Sequence, residues 1–275
     1  MNRLRRLLLA ALAAAPAAAA AVRRVHYPAQ DLDNRANRYP LQLLRAALAR
    51  AGAHYQLAPV QRMQQGRALA EIGSARGPDV IWSATSQARE RSLLPIRIPL
   101  YKGLIGWRLL LVRKDDLARF ASLAPAQLRG LRCASGHDWP DTDILEQGGL
   151  QVARVRGTDS ILRLLEDGHI DFFPRSAVEI WDEAAAHPRL AVAPRLAIHY
   201  PLASYFFVHR DGERLASDLR TGLEALLQDG SFDKLFQENF GELLKQARLQ
   251  ERQILELNNP DLPPQTPLAR RALWL

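Results

Sequence analysis

Residues 213–241 read ERLASDLRTGLEALLQDGSFDKLFQENFG, and their reading decides the fold. Leu215, Leu219, Leu223, Leu226 and Leu227 recur at spacings of three and four, which lays one apolar face along a helix. Gly230 is placed to end that helix in a left-handed turn, where a residue without Cβ meets no clash. Ser231 is placed to cap a second helix, on which Phe232, Leu235, Phe236 and Phe240 continue an apolar face. The stretch is therefore two amphipathic helices hinged on one glycine. Each needs a larger body to cover its stripe.

The chain upstream supplies that body. Val22–Tyr27 is a strand candidate, the loop 28–38 follows, and Tyr39-Pro40 opens a helix with Pro40 in its first turn, where a missing N–H costs nothing. Strand His54–Val60, helix Arg62–Ile72 and strand Pro78–Trp82 complete a β-α-β-α-β order, which argues for a mostly parallel sheet with helices on its faces. Ile105–Arg113 (IGWRLLLVR) is a strand long enough to leave one lobe for another. The same grammar then repeats. Helix Pro125–Leu128 precedes strand Leu131–Ser135, helix Asp141–Gln147 precedes Val152–Val155, and helix Ser160–Asp167 precedes Ile170–Phe173. Ala197–Val208 (AIHYPLASYFFV) reads as a long return strand.

The expected fold class is thus α/β and two-lobed, each lobe a mixed, mostly parallel sheet flanked by helices, with two crossing strands between them. Lobe 1 is expected over 22–112 and 200–249, and lobe 2 over 113–199. The proline-rich segment 250–275 is expected as an extended tail on lobe 1, pinned by Leu273, Trp274 and Leu275.

Arg3, Arg5 and Arg6 precede the leucine- and alanine-rich run Leu7–Ala21, the pattern of a cleavable secretory leader. The run is short of the roughly 20 residues of a spanning helix, and no cysteine follows it for a lipid anchor. The expectation is a leader over 1–21 and a mature periplasmic protein. Without the three leader arginines, 34 of the 37 Lys and Arg remain against 29 acids, a net +5. These cations are spread evenly, without the clustered stripe of a nucleic-acid binder, so no nucleic-acid partner is expected. Cys133 is the only cysteine, which excludes an intrachain disulfide. Its apolar neighbours in LRCAS point to a buried strand position.

The sequence of long helix, Asp-Gly, small residue, aromatic, lysine and aromatic in 213–241 resembles the closing helices of periplasmic solute-binding proteins of the amino-acid-binding type, family 3, with the type II periplasmic-binding fold. Two further segments carry the resemblance in the right order. Trp82–Val112 (WSATSQARERSLLPIRIPLYKGLIGWRLLLV) is similar to the family's strand, Ser/Thr loop, arginine and Pro-Tyr lead into a crossing strand. Ser160–Asp171 (SILRLLEDGHID) is similar to its second-lobe helix ending in Gly and Asp.

The resemblance implies a small polar ligand held between the lobes, a membrane permease or sensor as partner, and a monomer. In lobe 1 it implies contacts from the strand end Trp82-Ser83, from Thr85, and from Arg89 or Arg91. Counting forward from Thr85 favours Arg89, and counting back from Tyr101 favours Arg91. An arginine suits a carboxylate because its planar fork donates two parallel hydrogen bonds. Tyr39 is the implied aromatic wall. In lobe 2, His137, Asp138 and Trp139 stand where the family has small Gly-Thr type residues. Arg175 stands where an aspartate is common, which turns the expectation toward a ligand with an additional anionic group. The other reading of Arg175 is an ion pair with Glu179, one turn on.

Enzyme motifs are missing from the sequence: there is no HExxH, CxxC, GxSxG, P-loop or GxGxxG. Ser135, His137 and Asp138 are too close along the chain to build a Ser–His–Asp relay. The histidines lack metal-ligand spacing. Neither catalysis, nor a cofactor, nor a metal is expected. Two functions of different class remain: a receptor presenting a solute to an ABC-type uptake system, and a periplasmic sensor or scaffold of the same fold.

Overall fold

The computed structural model describes residues 22–29, 35–52, 54–63 and 65–275. The leader expected over 1–21 lies outside these residues. The first lobe opens with β1 (Arg23–Pro28), α1 (Arg35–Arg50), β2 (Tyr55–Val60), α2 (Gln65–Glu71), β3 (Val80–Ala84), α3 (Gln87–Ser92) and β4 (Leu94–Ile96). β1 and β2 pair in parallel, Arg23 opposite Tyr55. The Asp79 N–H donates to His26 O at 2.9 Å and so extends the layer to β3.

The second lobe holds β5 (Trp107–Arg113), α4 (Leu117–Ser122), β6 (Arg132–Gly136), α5 (Pro140–Gln147), β7 (Gln151–Val155), α6 (Thr158–Glu166), β8 (Phe173–Ser176), α7 (Ile180–Ala186) and β9 (Leu190–His199). β6 pairs in parallel with β7, and a bridge from Cys133 to Phe172 joins that pair to the chain entering β8. β5 lies antiparallel between β8 and β9. The chain then returns as β10 (Ser204–Val208), antiparallel between β3 and β4. It closes the first lobe with α8 (Glu213–Gln228) and α9 (Ser231–Ala247).

The opening stretch behaves largely as its pattern dictates. Gly230 takes φ 78°, the left-handed conformation expected of it. The cap, however, is not Ser231, which is already the first helical residue. The Asp229 carboxylate takes that role, accepting from the Ser231 N–H at 2.9 Å. α8 packs on α1 at Gly222, where an added Cβ would stand 2.6 Å from the Ala47 carbonyl carbon. Only a glycine permits that approach.

Three further elements differ from the sequence expectation. α1 begins at Arg35, so Pro40 lies inside the helix. Having no N–H, Pro40 cannot bond Ala36 O, and that carbonyl accepts instead from the Tyr101 hydroxyl at 2.6 Å. The expected helix at Pro125–Leu128 is a 3-10 turn over Pro125–Gly130. The long return strand 197–208 breaks at Tyr200–Ala203 into β9 and β10, because this segment is where the chain crosses between lobes.

The two crossings, 97–106 and 200–203, run side by side. The Leu100 N–H donates to Ser204 O at 2.9 Å and the Tyr200 N–H to Gly106 O at 3.3 Å. A Cβ on Gly106 would overlap Tyr200 O, so this glycine sets how closely the crossings pack. The segment 250–275, expected as an extended tail on lobe 1, instead contributes β11 (Gln253–Glu256), which pairs in parallel with β9 at the edge of the second-lobe sheet. Among the described residues no helix is long and apolar enough to cross a membrane.

Candidate functional site

A cleft of about 960 Å3 opens between the lobes, with the crossings at its base. The first-lobe wall comes from the end of β1, from Arg62 and Met63, from the start of α2 and from β3, and includes Arg62, Gln65, Arg67, Trp82 and Ser83. These side chains project from the carboxyl ends of strands and from helix starts, where open α/β sheets bind their ligands. The second-lobe wall includes Arg108, Trp139, Asp141, Arg175 and Glu179.

Two arginine clusters floor the second lobe. Arg108 lies on β5 opposite Ser176, the neighbour of Arg175 on β8. Its Nε donates to the Tyr200 hydroxyl at 2.7 Å. Asp141, in the first turn of α5, accepts from both the Arg108 guanidinium and the Tyr200 hydroxyl. Burial works against the Arg108 cation, but Asp141 and Tyr200 outweigh it and raise its pKa. Arg175 is gripped on its edge by Glu183, with Nε to Oε2 at 2.7 Å and Nη2 to Oε1 at 2.5 Å. Glu179 adds a third ionic contact at 3.2 Å. The Arg175 guanidinium also covers the rings of Trp139 and Phe173, 5.1 and 5.0 Å from their centroids.

Burial also opposes the Arg175 cation, and Glu179 and Glu183 again overcome it. For Glu183 the balance goes the other way: burial pushes its carboxyl above the ordinary value although Arg175 pulls it down. Within this pair the guanidinium stays charged and the carboxylate is the member that takes up a proton first. Glu179 acts electrostatically on Arg108, Arg175 and Tyr101 alike, so it stands where the floor meets the first crossing. Its side chain is 34% exposed against 8% for each arginine. The second lobe therefore turns a carboxylate toward the cleft more openly than it turns its cations.

The structure sorts the sequence candidates into three groups. Trp82, Ser83, Trp139 and Arg175 line the cleft. Arg89 stands behind its first-lobe wall: Nη1 donates to Ser83 Oγ at 2.9 Å and to Ala84 O at 2.6 Å. Burial lowers the Arg89 pKa, while Asp141, Asp261 and Asp138 pull it back up. Thr85 is buried beside Arg89, and its hydroxyl donates to Glu90 Oε1 at 2.6 Å.

Tyr39, Arg91, His137 and Asp138 do not line the cleft. Tyr39 is fully buried, packed on Tyr101, Phe236 and Phe240 with its hydroxyl on Leu100 O at 2.8 Å. Arg91 is exposed near the far end of α3, where its carbonyl accepts from Arg210. Helical geometry decides between the two arginines, since residues two apart on a helix point to different sides. His137 and Asp138 are exposed and face each other at 3.5 Å. Trp139 lies over Gly136, where a Cβ would meet its ring, and under Arg175. Its ring is already covered by the protein's own cation.

The Arg175–Glu179 ion pair read from the sequence is present, whereas Arg108, Asp141, Tyr200 and Glu183 were not anticipated as parts of the site. One signal was available for Arg108. A lone charge inside the apolar run IGWRLLLVR must be paired when the strand is buried. Asp141 carried no such signal, since an acid in a first helical turn is ordinary. Among the described residues no group of three or more His, Cys, Asp or Glu is arranged to hold a metal ion.

Comparison with known proteins adds the architecture. No family model and no curated protein matches the chain. Solved structures do. A periplasmic His/Glu/Gln/Arg/opine family-binding protein from Silicibacter pomeroyi, in complex with lysine, superposes with a TM-score of 0.58 at 11% identity. The match covers 80% of this chain and 98% of that one. The chain has the two-lobed fold of periplasmic binding proteins. A mutant of ArgBP from T. maritima shares that two-lobed fold at TM-score 0.56 and 16% identity, over 80% of this chain and 95% of its own. The GluR0 ligand-binding core from Nostoc punctiforme, in complex with L-glutamate, matches at TM-score 0.56 and 14% identity, over 79% of this chain and 98% of its own.

Proposed function

We propose that this chain is an exported solute-binding protein that closes its two lobes on a small polar, carboxylate-bearing ligand as receptor for an ABC-type uptake system. The observation that carries the reading is the cleft of about 960 Å3 between the lobes, with its two walls unlike in charge. The first-lobe wall offers Arg62 and Arg67, backed by Arg89. The second-lobe wall offers Glu179 and Asp141, with Arg108 and Arg175 held behind them. A ligand with a carboxylate at one end and a donor group at the other spans that pair of walls. Two of the solved neighbours hold such molecules, lysine in one and L-glutamate in the other.

Binding to the folded state alone stabilises it by mass action, by about 2.7 kcal/mol at a hundredfold excess over Kd. A thermal-shift screen of amino acids, dicarboxylates and small peptides is the test. A stabilising compound is expected, its effect lost in the Arg62→Ala/Arg89→Ala double variant and kept in Arg91→Ala. A shift fully retained in the Arg62→Ala/Arg89→Ala double variant means that lobe 1 does not bind the ligand through these arginines.

A second reading, a periplasmic sensor or scaffold, has its own supporting observation. Arg108 and Arg175 are already neutralised by Asp141, Glu179 and Glu183, so the floor needs no ligand to satisfy its charges. No stabilising compound in any of the three classes favours this reading.

A further inference from the structure

The two central crossings are not the only connections between lobes. After α9 the chain leaves lobe 1, and Arg252 bridges the exit. Its Nε donates to Ala247 O at the helix end at 2.7 Å, and its Nη1 donates to Ala193 O and Leu196 O of β9 at 2.6 and 3.0 Å. β11 then extends the second-lobe sheet. From its end the chain travels back across the second crossing. The Leu257 N–H donates to His199 O at 2.8 Å, and Asn259 Nδ2 donates to Pro201 O at 2.9 Å.

The same segment next meets α3 of lobe 1, behind the first-lobe wall. The Gln87 N–H, at the start of α3, donates to Asp261 O at 3.2 Å, and Gln87 Nε2 donates to Pro260 O at 3.3 Å. The remaining residues are anchored on lobe 1 at three places. Arg270 grips Glu224 of α8 with both terminal nitrogens at 2.5 Å. The Trp274 ring covers Gly103, where a Cβ would meet it, and its Nε1 donates to Pro267 O at 2.9 Å. Leu273 is buried, and the Leu275 N–H donates to Lys102 O at 3.0 Å.

We propose that residues 257–275 form a strap that ties the edge of the second-lobe sheet to α3 and α8 of the first lobe and so restricts the angle between the lobes. Both ends of the strap are fixed, one by a β-ladder and one by an ion pair and a half-buried indole. From the end of the ladder at Glu256 to the Asp261 contact with Gln87 of α3 only four residues, 257–260, span the hinge, at most roughly 3.3–3.6 Å each when extended. A short tether between two bodies limits the range of angles they sample, and slack restores it. Because Asp261 also holds the first residue of α3, any change of angle pulls on the helix that carries Arg89.

The test is the distribution of distances between spin labels on the two lobes, read without ligand. Labels go on Ala49→Cys in α1 and Asp159→Cys in α6, both exposed, in a Cys133→Ser background. Three chains are compared: the otherwise unaltered chain, a chain ended after Leu257, and a chain with roughly eight Gly and Ser residues inserted between Leu257 and Asn258. The insertion leaves every anchor in place, so it decides the matter if the shortened chain does not fold. The unaltered chain is expected to give one narrow distribution. The insertion is expected to raise the population of wider or narrower angles at least tenfold, equal to about 1.4 kcal/mol. Superimposable distributions for the unaltered and inserted chains would overturn the proposal.

Discussion

Replacing Arg175 by methionine separates a structural cation from a ligand-binding one. Methionine keeps much of the apolar stem against Trp139 and Phe173 but removes the guanidinium, leaving Glu183 and Glu179 without their partner. Removing one member of a buried ion pair costs about 3–5 kcal/mol. Two features of this site lower that figure. Glu179 is one-third open to water, and Glu183 can take up a proton. A net loss of about 2–4 kcal/mol follows, or a fall in Tm of about 4–16 °C for a chain of this size. Urea unfolding measures it, with Arg175→Met, Glu183→Gln and the double variant forming a cycle. The double variant is expected to recover at least half of the loss.

The same variant has a pH signature. Without the cation, the folded-state pKa of Glu183 rises further above its ordinary 4.5. The folded protein then binds more protons than the unfolded chain, so stability falls as pH rises between those two values and is regained below the lower one. The deficit of Arg175→Met is therefore expected to shrink from pH 7 to pH 4.5. A loss under about 0.5 kcal/mol at pH 7, the range of an ordinary surface substitution, would refute the internal pairing.

The remaining predictions concern the frame. Gly222→Ala gains about 1 kcal/mol of helix propensity but places a Cβ 2.6 Å from the Ala47 carbonyl carbon, rigid backbone that puts the overpacking cost in the upper range of about 2–3 kcal/mol. A lower urea midpoint is expected, and an unchanged or higher one would contradict the packing of α8 on α1. Tyr101→Phe removes the donor to Ala36 O and is expected to cost about 1 kcal/mol in the same assay. The Cys133 thiol is buried and its pKa is pushed up to about 12, so a thiol reagent at pH 8 is expected to label it slowly in the native protein and rapidly in urea.

Much of the fold was legible because its signals are local and periodic. The leucine spacing of 213–228, the left-handed Gly230 and the alternation of strands with helices each follow from backbone geometry within a few residues. What escaped was non-local. Pro40 lies inside α1 while Tyr101, 65 positions from Ala36, donates to the carbonyl that Pro40 cannot reach. The break at Tyr200–Ala203 depends on the first crossing running beside it. The resemblance implied Tyr39 as a cleft aromatic, but Phe236 and Phe240 of α9 hold its ring in the core. The site was half legible for the same reason. Trp82, Ser83 and Arg175 follow strand ends, which sequence marks well. The partners that neutralise Arg175 and Arg108 come from α7 and α5, and only the fold brings them there.

The central claim is that two lobes close on a small polar ligand. The most direct measurement is the distance between labels at Ala49→Cys and Asp159→Cys, with and without the compound that raises Tm in the screen. A shorter mean distance is expected on addition, with no shortening in the Arg62→Ala/Arg89→Ala double variant. A compound that stabilises the protein while the distance stays unchanged would contradict it.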